Sequence, residues 1–519
     1  MSEHTHVPQC HARCCPCGDA ELGEIDGISR RSFLGGVALG GIALTWMSWA
    51  EAAGAENQLP GPAARKPIVV KPVLTYAVPQ RARQTSWRSW GGIQTEQDAK
   101  AETARIEEEV KQVQAMADFP LQFLPVTAIR DAKQLEGAND LASADVVLLY
   151  AAGGPADVFQ RFRDQGKDVI YFVRHKSGPV SLWYEIVSPI HLRGGQSDQR
   201  VTKAFDEEDV VVDDLKAVLW RLRALCGLKN TMNSRIVAVG GASGWGQPKA
   251  PELAKERFKL DIQPLSYPEL GELIKAARAD QAAVALARRR AEAYLKLPGT
   301  SLETDAKFVE NAMLLDQIFR AIMLKAECRA ITVNGCMATI MPMAETTACL
   351  TLSTLNDDGY LAFCESDFVV VPSGILLSNI SGLPMFLNDP TYPHDGVITL
   401  AHCTGPRKMD GKTLEPARIL THFESDYGAA PKVEMRKGQM TTNILPDFKA
   451  ERWVGVLGEI VDAPFLDICR DQIDVRFTCD SLRLAQRMPG FHWMTGYGDY
   501  SKELGYALKR VGIQWELLA

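Results

Sequence analysis

Up to about residue 355 the apolar positions of this chain follow two rhythms in alternation, and beyond it they settle mainly into one. Over residues 99–117 the side chains of Ile106, Val110, Val113 and Ala117 fall on one face, which predicts an amphipathic helix. Short apolar runs at 68–76, 146–150 and 169–173 predict buried strands, and 214–225 predicts another helix. Strands alternating with helices point to a doubly wound α/β region. A second such unit opens with the apolar run 235–239, which enters a turn containing Gly240, Gly241 and Gly244. It continues through helices over 267–279, 280–296 and 308–327 to a strand at 330–334. The glycine turn lacks the full dinucleotide fingerprint, and no acidic residue ends a following strand at the usual distance, so it predicts a tight turn and not a nucleotide site.

From about residue 356 the pattern becomes strand after strand: 359–364, 397–403, 417–423, 432–436, 453–461 and 474–478. Short strands at even spacing predict an antiparallel barrel or sandwich. The chain closes with a helix over 501–511, whose apolar face carries Leu504, Ala507, Leu508 and Val511 and which Gly512 can stop. A helix following Asp367 either contains Pro372 in its interior, which costs a backbone donor and clashes with the previous turn, or begins near Pro372. The expected fold class is therefore α/β, with two doubly wound α/β lobes at 56–228 and 229–355, then a C-terminal antiparallel β-barrel-like domain with a terminal helix at 356–519.

Residues 1–55 predict a leader. Ser29-Arg30-Arg31-Ser32-Phe33-Leu34 precedes an uncharged apolar stretch from Phe33 to Ala50 and two small-x-small cleavage patterns, as in a twin-arginine export signal. The expected location is periplasmic or extracellular, by way of the twin-arginine translocase, with the signal cleaved or kept as a membrane anchor. Ahead of the arginines, Cys10, Cys14, Cys15 and Cys17 lie near His4 and His6, but in no standard zinc-finger spacing. With a formal charge of −7 and no basic patch, nothing argues for a nucleic-acid partner and none is expected. The cysteines at 226, 328, 336, 349, 364, 403, 469 and 479 have no close pairs in sequence, which predicts scattered packing thiols and no disulfide framework.

Candidate chemistry concentrates between Glu345 and Asp367, two carboxylates 22 residues apart in a run of small, apolar and hydroxyl residues. Charged groups sit in such surroundings when paired or bound to metal; the competing roles are turn-capping for Glu345 and helix N-capping for Asp367. His492 lies amid glycines and aromatics near the C-terminus. A Glu, an Asp and a His together suit a hard or borderline divalent ion. His402 and His422 are rival ligands, and Glu365 and Asp499 are carboxylates with an equal claim to helix N-termini.

Several pieces together resemble the L-fucose isomerase and L-arabinose isomerase group: Ala344-Glu345-Thr346-Thr347, Cys364-Glu365-Ser366-Asp367, Thr399-Leu400-Ala401-His402, His422-Phe423-Glu424-Ser425, and His492 with Gly498-Asp499-Tyr500. The resemblance runs from about residue 67 to the end and is strongest beyond 330, although the C-terminal region is shorter than in full L-fucose isomerases. It implies an aldose-ketose isomerase acting on a monosaccharide through an enediol, a divalent metal, manganese, held by Glu345, Asp367 and His492, proton transfer by Glu345 and Asp367, and a homo-oligomer. Arg88 and Trp90, beside Trp87, and His402 are weaker candidates for sugar contact, with packing as the competing role of the tryptophans. Two other classes fit the same residues: an exported sugar-binding or sensing protein without turnover, and a metal-dependent epimerase or lyase acting on sugar acids.

Overall fold

The computed structural model describes residues 61–88, 91–154, 166–182 and 206–519, with isolated residues between them. The expected leader over residues 1–55, with its cysteine and histidine cluster, and Trp90 lie outside the described residues.

Three β assemblies organise the chain. The first contains β1 (Ile68–Tyr76), β2 (Leu121–Phe123), β3 (Thr127–Ile129), β4 (Val146–Ala152), β5 (Asp168–Val173) and β6 (Val210–Val212). All its pairings are parallel, in the order β2-β1-β4-β5-β6, with β3 also on β1. The second contains β7 (Arg235–Val239), β8 (Asp261–Leu265), β10 (Ala330–Val333) and β11 (Leu361–Cys364), again parallel, in the order β11-β10-β7-β8; β9 (Thr300–Leu302) lies elsewhere. Strands buried on both faces need nearly continuous apolar sequence, and Ile236–Val239 and Ala330–Val333 supply it.

The third assembly is a barrel. Strands β12 (Phe386–Pro390), β13 (Val397–His402), β16 (Met440–Pro446), β17 (Arg452–Asp462), β18 (Asp471–Phe477) and β19 (Trp493–Tyr497) pair antiparallel in the order β16-β19-β12-β13-β18-β17, and β17 returns to β16 to close the ring. The last strand, β20 (Gln514–Leu518), adds parallel to β17. Between β13 and β16 the chain makes β14 (Ala417–His422) and β15 (Tyr427–Val433), which pair with each other and with β9 in a separate small sheet. One apolar core runs from Val237, Val239 and Ile331 of the second sheet into Phe386, Ile398 and Trp493 of the barrel.

Three sequence expectations are corrected. The strand at 359–364 belongs with the parallel strands, because the helix Cys349–Asp357 acts as a crossover that delivers β11 parallel to β10. Residues 417–423 and 432–436 contribute to the small sheet and not to the barrel. Strands β12, β16 and β19 escape the hydrophobic pattern because the barrel interior is partly polar. Asn388 Nδ2 donates to Thr495 Oγ1 at 2.9 Å and Thr495 Oγ1 donates to Asn443 Oδ1 at 2.8 Å, a chain of buried hydrogen bonds crossing three strands.

The Pro372 alternative resolves in favour of the later start. The helix Val371–Ser381 carries Pro372 in its first turn, where no backbone donor is lost, and ends at Gly382 with φ +78°. It packs closely on the helix Leu215–Thr231. A Cβ on Gly227 would lie 2.3 Å from Ile380 Cγ1, so only glycine permits this approach. That contact ties the first sheet's helix to the segment that follows Asp367.

Candidate active site

The second sheet and the barrel meet at Asp367. Beyond β11, Glu365 and Ser366 both adopt left-handed backbone (φ +64° and +49°), which turns the chain sharply at the strand's carboxyl end. The turn is held by the glycine-rich loop after β7. Ser366 Oγ donates to the Gly241 carbonyl at 2.8 Å, and Phe368 N–H donates to the Ser243 carbonyl at 3.0 Å. The glycine turn is thus a tight turn, as expected, and it also reaches the site: Trp245 N–H donates to Asp367 Oδ1 at 3.0 Å, as does Val369 N–H.

With Oδ1 committed to these two amides, Asp367 presents Oδ2 to His492, whose Nδ1 lies 2.7 Å away. A carboxylate only accepts, so Nδ1 carries the proton. This fixes the ring with Nε2 facing Glu365 Oε2 at 3.1 Å and Asp389 Oδ1 at 3.2 Å. The indole of Trp245 meets the imidazole edge-on, with 5.2 Å between ring centres. His402, at the end of β13, places Nε2 3.5 Å from Glu365 Oε1. Because β19, β12 and β13 are neighbours in the barrel, His492, Asp389 and His402 arrive together at one rim.

The charges reinforce one another. Burial pushes the Glu365 carboxyl up, but His402 and His492 outweigh it and hold the group well below the ordinary carboxylate range. Burial likewise disfavours the charged imidazoles, yet Glu365 and Asp389 raise His402 to about 9, and Asp367, Asp389 and Glu365 raise His492 well above its ordinary value. The site therefore holds ionised Glu365 between two imidazolium rings. Glu365 Oε2 is buried and makes no hydrogen bond, although His492 Nε2 is within ion-pair distance. By contrast, burial, His402 and Arg470 push His422 down to about 4, leaving a neutral ring beside Ser425 Oγ.

The sequence candidates separate accordingly. Asp367, His492 and His402 come together. Glu345 ends the short helix Met341–Ala344 in left-handed backbone, with its side chain 55% exposed and 3.0 Å from Arg278 Nη1, and no contact brings it into the cluster. Arg88 is exposed and stacks over Trp87 at 5.3 Å. Asp499 caps the terminal helix through Ser501. Sequence reasoning undervalued Glu365 and passed over Asp389 and Trp245. The adjacency of Glu365 to Asp367 at a strand end was a usable signal, whereas Asp389 sits in the strand that the polar barrel interior obscured.

Among the described residues no three ligating side chains are arranged around a common point; their donor atoms close on one another. The donor chemistry nevertheless suits a divalent ion: the carboxylate oxygens of Glu365 and Asp367 with the imidazole of His492 form a set that hard or borderline cations accept.

No family model matches the chain. A curated relative, sulfoquinovose isomerase of Clostridium sp. (strain MSTE9), is 24% identical over 319 residues, covering 59% of this chain and 69% of that protein.

Proposed function

We propose that the protein is an aldose-ketose isomerase acting on a monosaccharide through an enediol. The observation that carries the proposal is Glu365, an ionised carboxylate whose two oxygens face two imidazolium groups at the junction of sheet and barrel. The sugar isomerase name of the relative supports the same class. Isomerisation needs a base for a carbon-bound proton and a group that gives and recovers a proton on oxygen. Glu365 Oε2 takes the carbon proton. His402 carries the oxygen proton, since a group raised to about 9 is protonated at neutral pH and can still release its proton. Asp367 keeps His492 oriented, and His492 offers positive charge to the oxyanion.

A divalent ion, manganese or a close equivalent, belongs to this proposal. Glu365, Asp367 and His492 would hold it with His492 neutral, since a ligating imidazole has given up its proton, and when bound the ion would supply to the enediolate oxygens the positive charge that protonated His492 offers without it. Folded export by the twin-arginine route and homo-oligomeric assembly are further parts of the proposal. They follow from the leader sequence and from the resemblance respectively.

The test is incubation of residues 56–519 with pooled aldoses and ketoses in heavy water, with and without manganese, reading deuterium on the sugar and the isomer ratio. Label at C2 of an aldose or C1 of a ketose, absent with Glu365→Gln, is the expected result. A folded, manganese-binding protein that labels no sugar would overturn the isomerase proposal.

A further inference from the structure

Behind His402 lies a group of thiols that the sugar chemistry leaves unused. Cys349 and Cys403 pack with Ala430 into a small cluster of their own, and Cys469 packs against it. The three come from distant parts of the chain: the start of the helix Cys349–Asp357, the residue after β13, and the loop between β17 and β18. All three are free thiols, and Cys349 and Cys403 are buried while Cys469 is half-buried. The loop that carries Cys469 is held in shape by Gln472, whose Nε2 donates to the carbonyls of Leu466 and Cys469 at 2.9 Å each. It also exposes Phe465 (45%) and Leu466 (50%) to solvent. Of the three thiols Cys469 is thus the least buried, with a second packed behind it.

We propose that Cys469 is a thiol–disulfide exchange site for which Cys403 is the resolving thiol. The Cys469 thiolate attacks one sulfur of a low-molecular-weight disulfide, forming a mixed disulfide and releasing one thiol. The Cys403 thiolate then attacks the Cys469 sulfur, forming the Cys403–Cys469 bond and releasing the second thiol. Two protein thiols are oxidised by two electrons and one external disulfide is reduced to two thiols, with two protons passing from protein to reagent. Exchange requires an attacking thiol toward the outside and a resolving thiol packed against it, and the least buried thiol of the cluster, Cys469, has Cys403 in that position. Because Cys403 directly follows His402, closing the bond pulls on the residue that faces Glu365. The site thereby becomes sensitive to the redox state of its surroundings, and an exported chain meets disulfides of this class.

The experiment treats the full chain with oxidised glutathione, blocks remaining thiols, and maps peptides without reduction while following sugar deuteration. The expected result is a Cys403–Cys469 cross-linked peptide, deuteration slowed by about tenfold or more, as misplacement of a catalytic group entails, and recovery with dithiothreitol. Cys469→Ala should keep the untreated rate and resist the reagent. A map showing only a glutathione adduct on Cys469, a bond to Cys349 instead, or no modification would overturn the proposal, as would a cross-linked protein with an unchanged rate. The peptide map needs no turnover, so a protein that cross-links yet labels no sugar defeats the isomerase proposal alone.

Discussion

Asp367 Oδ2 and His492 Nδ1 are 2.7 Å apart, although 125 positions separate the two residues and one belongs to the turn after a parallel strand, the other to the rim of an antiparallel barrel. Both are buried, at 1% and 4% exposure. The pair joins the two assemblies at the point where the chemistry is proposed to occur.

Asp367→Asn tests that junction. The amide keeps the shape but removes the charge that raises His492. Removing one partner of a buried charge pair costs about 3–5 kcal/mol, and the neutral amide should bring the loss toward the lower end. Denaturant unfolding should show the destabilisation, and NMR titration should show His492 titrating lower than in the parent. An unchanged His492 titration would mean that Asp367 does not hold the imidazolium.

Much of this arrangement was legible from the sequence, and the failures have physical causes. Helices such as Tyr267–Ala279, with Leu270, Leu273, Ile274 and Ala277 buried, and strands such as β7 and β10 follow their apolar periodicity closely because their apolar side chains enter one apolar core. Asp367 stood out as a carboxylate where an apolar strand stops, His492 as an imidazole amid glycines and aromatics, and His402 as a rival imidazole in a strand. Glu365 read only as a carboxylate beside Asp367 with an equal claim to a helix N-terminus, because its placement rests on two consecutive left-handed residues that no composition signal announces. Glu345 attracted attention by its surroundings in sequence, but a left-handed turn carries its side chain out to Arg278.

Glu365 and Glu345 make a discriminating pair. Glu365→Gln removes the base and the negative charge that sustains His402, and loss of deuteration by about a hundredfold or more is expected for a proton-transfer group. Glu345→Gln breaks an exposed pair with Arg278, for which about 0–1 kcal/mol is typical, and deuteration should survive. Parallel rate measurements on the two variants decide the assignment. A dead Glu345→Gln beside an active Glu365→Gln would return the role to Glu345.

The buried polar chain inside the barrel predicts an intolerance of a near-isosteric change. Thr495→Val leaves Asn388 Nδ2 without its threonine acceptor and Asn443 Oδ1 without its donor. Each group left unsatisfied in the interior costs about 1–3 kcal/mol. Thermal unfolding should show a clear loss, with Asn388→Leu in the same background restoring part of it. Equal stability of Thr495→Val and the parent would show that water or rearrangement satisfies both amides.

The pH dependence of stability follows from the ion pair at the rim. His402 rises from an ordinary 6.5 to about 9 in the folded chain, so its contribution is whole below pH 6.5 and fades as the pH climbs through about 9. Glu365 moves the other way, below its ordinary 4.5, so its contribution is whole above pH 4.5 and is lost as the pH falls below it. Together they place the greatest stabilisation by this pair between about pH 4.5 and 6.5, with an alkaline decline to which His402 contributes alongside the likewise raised His492. Unfolding midpoints measured across the alkaline range should fall in the parent and fall less steeply in His402→Gln, where of the two raised imidazoles only His492 still has a proton to lose. The proposed deuteration rate should show the same alkaline limb, because a deprotonated His402 no longer gives a proton to oxygen. A variant that keeps the full alkaline decline in both measurements would assign it to another group and remove His402 from the proton path.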